Sequence, residues 1–194
     1  MAAEEIYRTP VDDTPLRAGE CISNVVRSRL ALDNFGASEA ELRRIVHPFV
    51  LVVSQECDLY FDFEARQAGE TSTKELPSVL MCEADVESTV RERSGLNNAL
   101  WRRVEGGQDE RYQLIPGIPE DLDGEAEGIP PLVLDFKRYF TLPTDELYAR
   151  LALSASHPEA SRRRAELQSP YKEQVLTRFA AFLGRVAVPE QMGT

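Results

Sequence analysis

The chain has 194 residues, 42% of them hydrophobic and 28% charged, a composition typical of one globular domain. Its 33 acidic residues outnumber 22 lysines and arginines, and the net charge of −11 disfavours strong binding of nucleic acid over the whole surface. No apolar stretch reaches the roughly 20 residues of a membrane span, and the N-terminal stretch lacks the apolar core of a signal peptide. A cytoplasmic location without membrane association is therefore expected.

Cysteine and histidine are few and widely spaced. The chain contains Cys21, Cys57, Cys82, His47 and His157, and no CxxC pair. A structural zinc site uses about four such ligands, usually in close pairs. The pattern therefore predicts no metal site, no cofactor and three reduced thiols, most of them buried.

The first quarter of the chain predicts two strands separated by a helix. Residues 1–15 hold two prolines among acidic residues and predict a loose N-terminal lead-in. Residues 19–27 predict a short strand that follows a glycine turn. A serine followed by acidic residues predicts a capped helix over 38–45, which leads into an apolar strand over 48–54.

The middle of the chain alternates between strands and charged segments. Residues 64–75 are charged and contain glycine, which predicts a loop. Residues 77–82 predict a central strand. Apolar spacing over 86–104 predicts a helix that Gly95 weakens and splits, and residues 111–115 predict another strand.

The last third begins with a loop and ends with the clearest helix of the chain. Residues 116–130 are acidic and rich in Gly and Pro, which predicts a mobile loop. Residues 132–142 predict a strand, a helix begins at Thr144, and residues 165–168 predict a short strand. A Ser-Pro pair then starts an amphipathic helix over 169–184.

These elements predict an α+β fold: a small curved antiparallel sheet with helical insertions and a C-terminal amphipathic helix. The expected organisation is a lead-in over 1–15, one domain over 16–188 with a helical insert over 84–106 and an acidic loop over 116–130, and a tail over 189–194. The residues expected to share one core are Leu51, Val53, Leu80, Leu134 and Phe179.

Two short motifs resemble motifs of the PemK/MazF toxin superfamily, whose domain is a small SH3-like barrel. Gly19-Glu20 resembles the Gly-Asp turn that opens the first strand of that family. His47-Pro48, followed by aliphatic residues up to Ser54, resembles its Arg-Pro motif. The resemblance spans most of residues 16–185. The sequence SQECDL, residues 54–59, also resembles sequences of uncharacterised bacterial proteins.

The resemblance implies a site that cleaves RNA, but this chain lacks two residues that such a site uses. Ribonucleases of that family use the arginine before the proline, and His47 occupies this position here. They also use a hydroxyl residue after the next strand, where this chain has Glu83-Ala84-Asp85 and no hydroxyl before Ser88. Since histidine exchanges protons near neutral pH, His47 keeps RNA cleavage open as an alternative.

The apolar strand over 48–54 ends in consecutive polar residues: Ser54, Gln55, Glu56, Cys57 and Asp58. As an enzyme site, the candidates are Cys57 as nucleophile, His47 as base and Asp58. A run of seven extended residues spans roughly 20 Å, which separates His47 from Cys57; His157 is an alternative base. Otherwise Ser54, Gln55, Glu56 and Asp58 line a ligand groove or accept backbone N–H groups of the turn, and Asp58 then matters to the fold more than Cys57 does to chemistry.

Two further charged features need explanation. Asp135 lies inside an apolar strand, where a buried carboxylate requires a partner; Arg111 or Arg138 is expected to pair with it for a structural purpose. The arginines over 91–103 and 162–164 predict a local basic patch or, alternatively, a solvated surface.

Two functions follow as expectations. The first is a non-catalytic interaction module with a protein partner or a second copy of itself, accessory to a bacterial toxin–antitoxin or phage-defence system. The second is an endoribonuclease with a rearranged active site, with RNA as a partner that the net charge disfavours.

Overall fold

The computed structural model describes residues 6–32, 40–69 and 73–185 of the chain. In these residues seven strands form one antiparallel, curled half-barrel sheet, accompanied by five α-helices. The strands are β1 (Tyr7–Arg8), β2 (Glu20–Leu32), β3 (Ala40–Val52), β4 (Ser78–Val86), β5 (Tyr112–Ile115), β6 (Leu132–Pro143) and β7 (Arg162–Leu167). The helices are α1 (Glu56–Ala68), α2 (Glu87–Ser94), α3 (Asn98–Glu105), α4 (Thr144–Leu151) and α5 (Tyr171–Leu183). The predicted α+β class, with its curved sheet and C-terminal helix, is confirmed.

The strand order is β1-β7-β2-β3-β4-β6-β5, with each neighbouring pair antiparallel. Alternating side chains point to opposite faces of the sheet, so β3 contributes Leu51 to one core and Val50 to another. Helix α5 covers the first core through Val175 and Phe179. All five residues predicted to share a core lie in this first cluster, four buried and Leu80 partly buried against it.

The longest feature is the hairpin of β2 and β3, which extends beyond the rest of the sheet. Strand β7 pairs with β2 only along residues 20–23, and β4 pairs with β3 only along residues 49–52. Residues 25–32 and 40–47 therefore form a two-stranded ribbon, which we call the arm. No helix among the described residues is long and apolar enough to cross a bilayer.

The helix predicted over 38–45 is wrong for residues 40–45, which belong to β3; residues 38 and 39 lie outside the described part. Acidic residues after a serine suggested a helix start, but residues 40–45 pair in register with 27–32 of β2. Pairing with a neighbouring strand overrides a weak local preference.

The loop predicted over 64–75 is also wrong in its first part, because α1 runs to Ala68. The helix places Leu59, Asp62 and Ala65 on its buried side. Asp62 accepts the backbone N–H of Leu76 at 2.7 Å and binds Arg66. Hydrophobic spacing did not predict this helix because one of its buried positions is occupied by a charged residue, Asp62, instead of an apolar one. The predicted division of 86–104, in contrast, is confirmed by α2 and α3, which are separated at Gly95.

The predicted loose lead-in is wrong for its described residues. Tyr7 pairs with Leu167 in the sheet, and its buried hydroxyl donates to the carbonyl of Pro116 at 2.5 Å. Arg163 donates to the carbonyls of Val11 and Thr14. The segment is thus held by β7, while the predicted tail over 189–194 lies outside the described residues.

The acidic segment 116–130 is a loop, as predicted, but it is anchored. Ile118 and Ile129 form a β-bridge, and both side chains are buried in the first core. Asp123 is buried and binds Arg164 through both carboxylate oxygens, each at 2.6 Å. These contacts attach the loop to β7 and to the first core.

The three cysteines are free, as predicted, but they differ in access. Cys21 and Cys82 are buried in the first core, whereas Cys57 is exposed in the first turn of α1. Burial raises the pKa of Cys21 to about 12 and also raises the pKa of Cys82. Because the thiolate is the reactive form, burial protects Cys21 and Cys82 in two ways: reagents cannot reach them, and their thiols stay protonated.

A thiol titration tests this arrangement. In native protein at neutral pH, without reductant, we expect a thiol-specific reagent to modify one cysteine rapidly, and in denaturant to modify three. Cys57→Ser should remove the fast reaction and leave two thiols in denaturant. Fewer than three thiols in denatured wild-type protein, restored by reductant, would contradict the free state.

Candidate functional site

The polar end of β3 begins with Ser54, whose hydroxyl joins two strands. Its Oγ accepts the backbone N–H of Leu80 at 2.8 Å, and Val53 N–H donates to the Leu80 carbonyl at 2.9 Å. Ser54 is buried. This serine satisfies a backbone donor where β3 leaves the sheet, the role predicted for the cluster as a whole.

Glu56, rather than Asp58, is the carboxylate that secures this turn. Its Oε2 accepts the backbone N–H of Ala18 at 2.8 Å, and its Oε1 accepts from Arg17 at 2.8 Å. Asp58 is exposed, and its carboxylate contacts the Cys57 thiol at 3.7 Å. The structural role predicted for Asp58 is therefore wrong, because α1 starts at Glu56 and turns Asp58 outward.

A groove of the expected kind lies next to Asp58. A shallow cavity of about 410 Å³ is lined by Asp58, Phe61, Thr73, Lys74, Glu75 and Leu76. Ser54 and Glu56 are committed to the backbone contacts above, and Gln55 is an exposed N-cap residue whose side chain makes no capping hydrogen bond. The four residues predicted to line one groove thus face different surroundings.

His47 is enclosed where the arm meets the sheet. Only 2% of the residue is exposed, and its ring stacks on Phe140 with centroids 4.2 Å apart. Arg27 Nε donates to His47 Nε2 at 3.1 Å, so the ring proton lies on Nδ1, which donates to Glu83 Oε2 at 3.1 Å. Both ring nitrogens are occupied, which leaves none to take a proton from a substrate in this arrangement.

The proposed pairing of His47 with Cys57 is not assembled. The contacts of His47 are with Arg27, Glu83 and Phe140, whereas the Cys57 thiol contacts Gln55 and Asp58. The alternative base, exposed His157, accepts the backbone N–H of Glu159 through Nδ1 and makes no described contact with Cys57. A thiol nucleophile needs a base within hydrogen-bond reach, so the three catalytic candidates do not form one site.

Glu83 is the centre of a charged cluster that sequence reasoning missed. Besides His47, it accepts from Arg93 at 2.7 Å and from Arg138 at 2.5 Å. Burial alone would raise the pKa of Glu83, but the hydrogen bonds from His47 and Arg138 outweigh burial and lower it to about 2. Glu83 is therefore held as a carboxylate. The only local signal was a pair of acids, Glu83 and Asp85, alternating with apolar residues in one strand.

Asp135 has the arginine partner predicted for it. Arg111 donates to its two oxygens through Nε and Nη2, each at 2.7 Å, and only 1% of Asp135 is exposed. The other predicted partner, Arg138, binds Glu83 instead. The bidentate geometry fixes β6 against the start of β5, which is a structural role.

The arginines over 162–164 form neither an open basic patch nor a solvated surface. Arg163 binds the fully buried Glu20, and Arg164 binds buried Asp123. These partners lie 143 and 41 residues away along the chain. No short-range pattern could have identified them, because only the folded sheet brings them together.

The arginines beside a second, larger cavity are also engaged. This cavity, of about 720 Å³, lies between the segment 9–16, α4 and β7. Arg163 lines it but is bound to Glu20, and Arg162 lies 3.7 Å from Glu125. Within the part of the chain that the structure describes, no group of three or more His, Cys, Asp or Glu is arranged to hold a metal ion.

Comparisons of the chain with known protein families, with curated proteins and with solved structures find no match. The resemblance to PemK/MazF proteins therefore rests on the sequence pattern alone.

Replacing Ser54 and Asp58 separately tests which polar residue supports the strand end. Ser54→Ala leaves the N–H of Leu80 without its acceptor, and an unsatisfied buried donor costs about 1–3 kcal/mol of unfolding free energy. Asp58→Ala loses only a favourable charge in the first turn of α1, worth about 0.3–1 kcal/mol. Urea denaturation of both variants measures the difference, and a larger loss for Asp58→Ala would contradict these roles.

The lowered pKa of Glu83 predicts a pH dependence of stability. Its folded pKa lies below its unfolded value of about 4.3, so the stabilisation it provides is complete above that value and is lost as pH falls towards 2. Glu83→Gln should be less stable than wild type at pH 7 and should lose less additional stability on acidification. Denaturation midpoints at several pH values measure this, with exposed Glu64→Gln as the matched control. Parallel profiles for wild type and Glu83→Gln would contradict the assignment.

Proposed function

We propose that this protein is a non-catalytic interaction module on a PemK/MazF-like barrel, accessory to a bacterial toxin–antitoxin or phage-defence system. The observation that carries the proposal is the arm, which presents Leu30 and Leu42 to solvent with 70% and 67% of each residue exposed. Paired exposed leucines on a projecting ribbon contribute nothing to the chain's own core and suit a contact with another protein. The barrel family and the biological setting rest on the sequence resemblance, and fold analogy by itself carries no activity.

The state of the catalytic candidates also supports a non-catalytic role. His47 is enclosed by Arg27, Glu83 and Phe140, while Cys57 is exposed and, among the described residues, its thiol contacts Gln55 and Asp58 but no histidine. Glu83, Asp135 and Asp123 are each bound by an arginine. The charged groups most suited to catalysis are thus used to hold strands together.

One observation favours the alternative, an endoribonuclease. A histidine, a carboxylate and two arginines meet at His47, Glu83, Arg27 and Arg138, and such groups can move protons and stabilise charge during phosphodiester cleavage. For this reaction the cluster would have to open, because an acid or base must reach its substrate. The burial of His47 makes the interaction module the better supported of the two.

A cleavage assay separates the two functions. Purified protein incubated with a mixed pool of RNA should release no more fragments than protein-free buffer. His47→Asn, checked for folding by circular dichroism, serves as the control, since it removes the Nε2 acceptor and any proton exchange. Cleavage by wild type that disappears in His47→Asn would overturn the interaction module in favour of the endoribonuclease, whereas equal cleavage by both would identify a contaminating nuclease.

A further inference from the structure

The cavity of about 720 Å³ between the segment 9–16, α4 and β7 has the size of a small-molecule site. We call it the α4–β7 cavity. Ligand pockets in proteins usually have volumes of about 300–1,000 Å³. Five parts of the chain line it: the segment 9–16, α1, the loop 116–130, α4 with the residues that follow it, and the start of β7. Because these parts are distant along the sequence, the cavity exists only in the folded protein.

The wall that the segment 9–16 contributes is held in place. Arg163 donates to the carbonyls of Val11 at 2.9 Å and of Thr14 at 3.0 Å. The same guanidinium is bound to fully buried Glu20, which neutralises its charge. Arg163 therefore shapes this wall rather than offering a free charge to a ligand, and the wall is built before any ligand binds, as is usual for small-molecule sites.

Two polar groups of residues that line the cavity lack a hydrogen-bond partner among the described residues: the hydroxyl of Tyr148 and Nη2 of Arg162. Arg162 is engaged through its other nitrogens, since Nη1 donates to the Ser161 carbonyl at 2.8 Å and Nε lies 3.7 Å from Glu125. Burial raises the pKa of Tyr148 to about 12, so its hydroxyl keeps its proton at neutral pH. Buried polar groups are nearly always satisfied in folded proteins. Two donors without acceptors therefore indicate an occupant that supplies acceptor oxygens.

Asp12 and Asp13 give the cavity two carboxylates without a counter-charge. Both residues line it, both are exposed, and neither forms an ion pair with any described residue. Glu125, the third acid of the lining, lies beside Arg162 instead. Since complementary charges select a ligand and like charges reject it, these two carboxylates favour an ammonium group and disfavour an occupant that carries negative charge alone.

The cavity also has an apolar lining. Leu16, Phe63, Leu151 and Leu153 contribute to it, of which Leu16 is buried and the other three are half-buried. Removing apolar surface from water provides much of the binding free energy of a small ligand, while a few polar groups fix its orientation. The lining thus suits a ligand with an apolar side chain.

We propose that the α4–β7 cavity binds a small zwitterion with an apolar side chain, of the class formed by α-amino acids and short peptides. Its carboxylate would accept from Arg162, its ammonium group would lie at Asp12 and Asp13, and its side chain would contact the leucines and Phe63. A rotation of the Arg162 side chain, which is 17% exposed, presents Nη2 to the carboxylate. The cavity shares no residue with the arm, so the inference does not depend on the proposed interaction module.

Occupants of other classes satisfy fewer of these groups. An organic acid or a phosphate would pair with Arg162 but face Asp12 and Asp13. A polyamine would pair with the two carboxylates and leave Nη2 of Arg162 without an acceptor. Water alone would satisfy the donors and leave the apolar lining in contact with solvent. A zwitterion with an apolar side chain provides for all three kinds of lining.

Isothermal titration calorimetry of the full chain tests the proposal, with L-leucine and the dipeptide leucyl-alanine as probes. We expect at least one of them to bind at a single site with a Kd below about 1 mM. The tighter of the two identifies the source as a free amino acid or a peptide. Isocaproate is leucine without its amino group and isoamylamine is leucine without its carboxylate; each should bind about tenfold more weakly than leucine, or not at all.

Substitutions in the lining assign the two charged ends of the ligand. Arg162→Gln should weaken binding of the better probe about tenfold and leave isoamylamine unaffected. The double variant D12N/D13N should weaken the same probe and leave isocaproate unaffected or improved; asparagine also tolerates the positive φ of 57° at Asp13. Arg102→Gln, at an exposed position of α3, makes the same chemical change away from the cavity and should bind as wild type does.

Four results would overturn the zwitterion site. The first is the absence of binding by both probes up to about 10 mM. The second is binding that Arg162→Gln and D12N/D13N, each shown to be folded by its thermal melt, leave unchanged, which would place the ligand elsewhere. The third is isocaproate or isoamylamine binding as tightly as leucine, since one charge would then suffice. If Arg162→Gln does not fold, Tyr148→Phe takes its place, because it removes only the free hydroxyl; unchanged binding in that variant is the fourth.

Discussion

The pairing of β2 with β3 is the constraint on which the rest of the structure depends. The register of this hairpin runs from Cys21–Leu51 in the core to Leu32–Ala40 in the arm. At the core end β7 and β4 add to its two edges, and both faces are then covered by side chains and helices. At the other end, β2 and β3 continue as the two-stranded arm without neighbouring strands. One set of backbone hydrogen bonds therefore supports both the fold and the surface that we propose for binding.

His47 lies at the boundary between these two parts. It is paired with Val25 in the hairpin, and it reaches Glu83 on β4 and Phe140 on β6. Arg27 of the arm also belongs to this cluster. A buried polar contact thus ties the base of the arm to the sheet, while Leu30 and Leu42 farther along it are exposed.

The sheet and its loops bury several carboxylates, and each of those described is bound by an arginine. Glu20, Glu83, Asp123 and Asp135 are nearly inaccessible, and their partners come from other strands, loops or helices. Such pairs add little net stability compared with apolar residues, but removing one partner leaves an unpaired buried charge and costs about 3–5 kcal/mol. Because their partners come from distant segments, these pairs form only when the strands take this arrangement. This use accounts for acids and arginines that would otherwise suggest a reaction.

The sequence by itself determined the elements whose pattern is local. The apolar strands within 48–54 and 77–82, the division of a helix at Gly95 and the C-terminal amphipathic helix depend on neighbouring residues, and the structure contains them. The predicted serine cap of that helix is wrong, because α5 begins at Tyr171 with Pro170 as its N-cap and no side-chain capping hydrogen bond. The need of Asp135 for an arginine was likewise readable, because a charge inside an apolar strand must be compensated.

Only the tertiary structure decided the elements that depend on distant residues. Residues 40–45 became a strand because β2 supplied a pairing edge, and α1 stayed hidden because its buried side includes Asp62, whose partners include Leu76. The groups that occupy His47 and Glu83 come from four separate elements, β2, α2, β4 and β6, with β3 supplying the histidine itself. Local sequence records what each segment prefers, whereas hydrogen bonds and ion pairs between segments exist only once the sheet has brought them within about 3 Å.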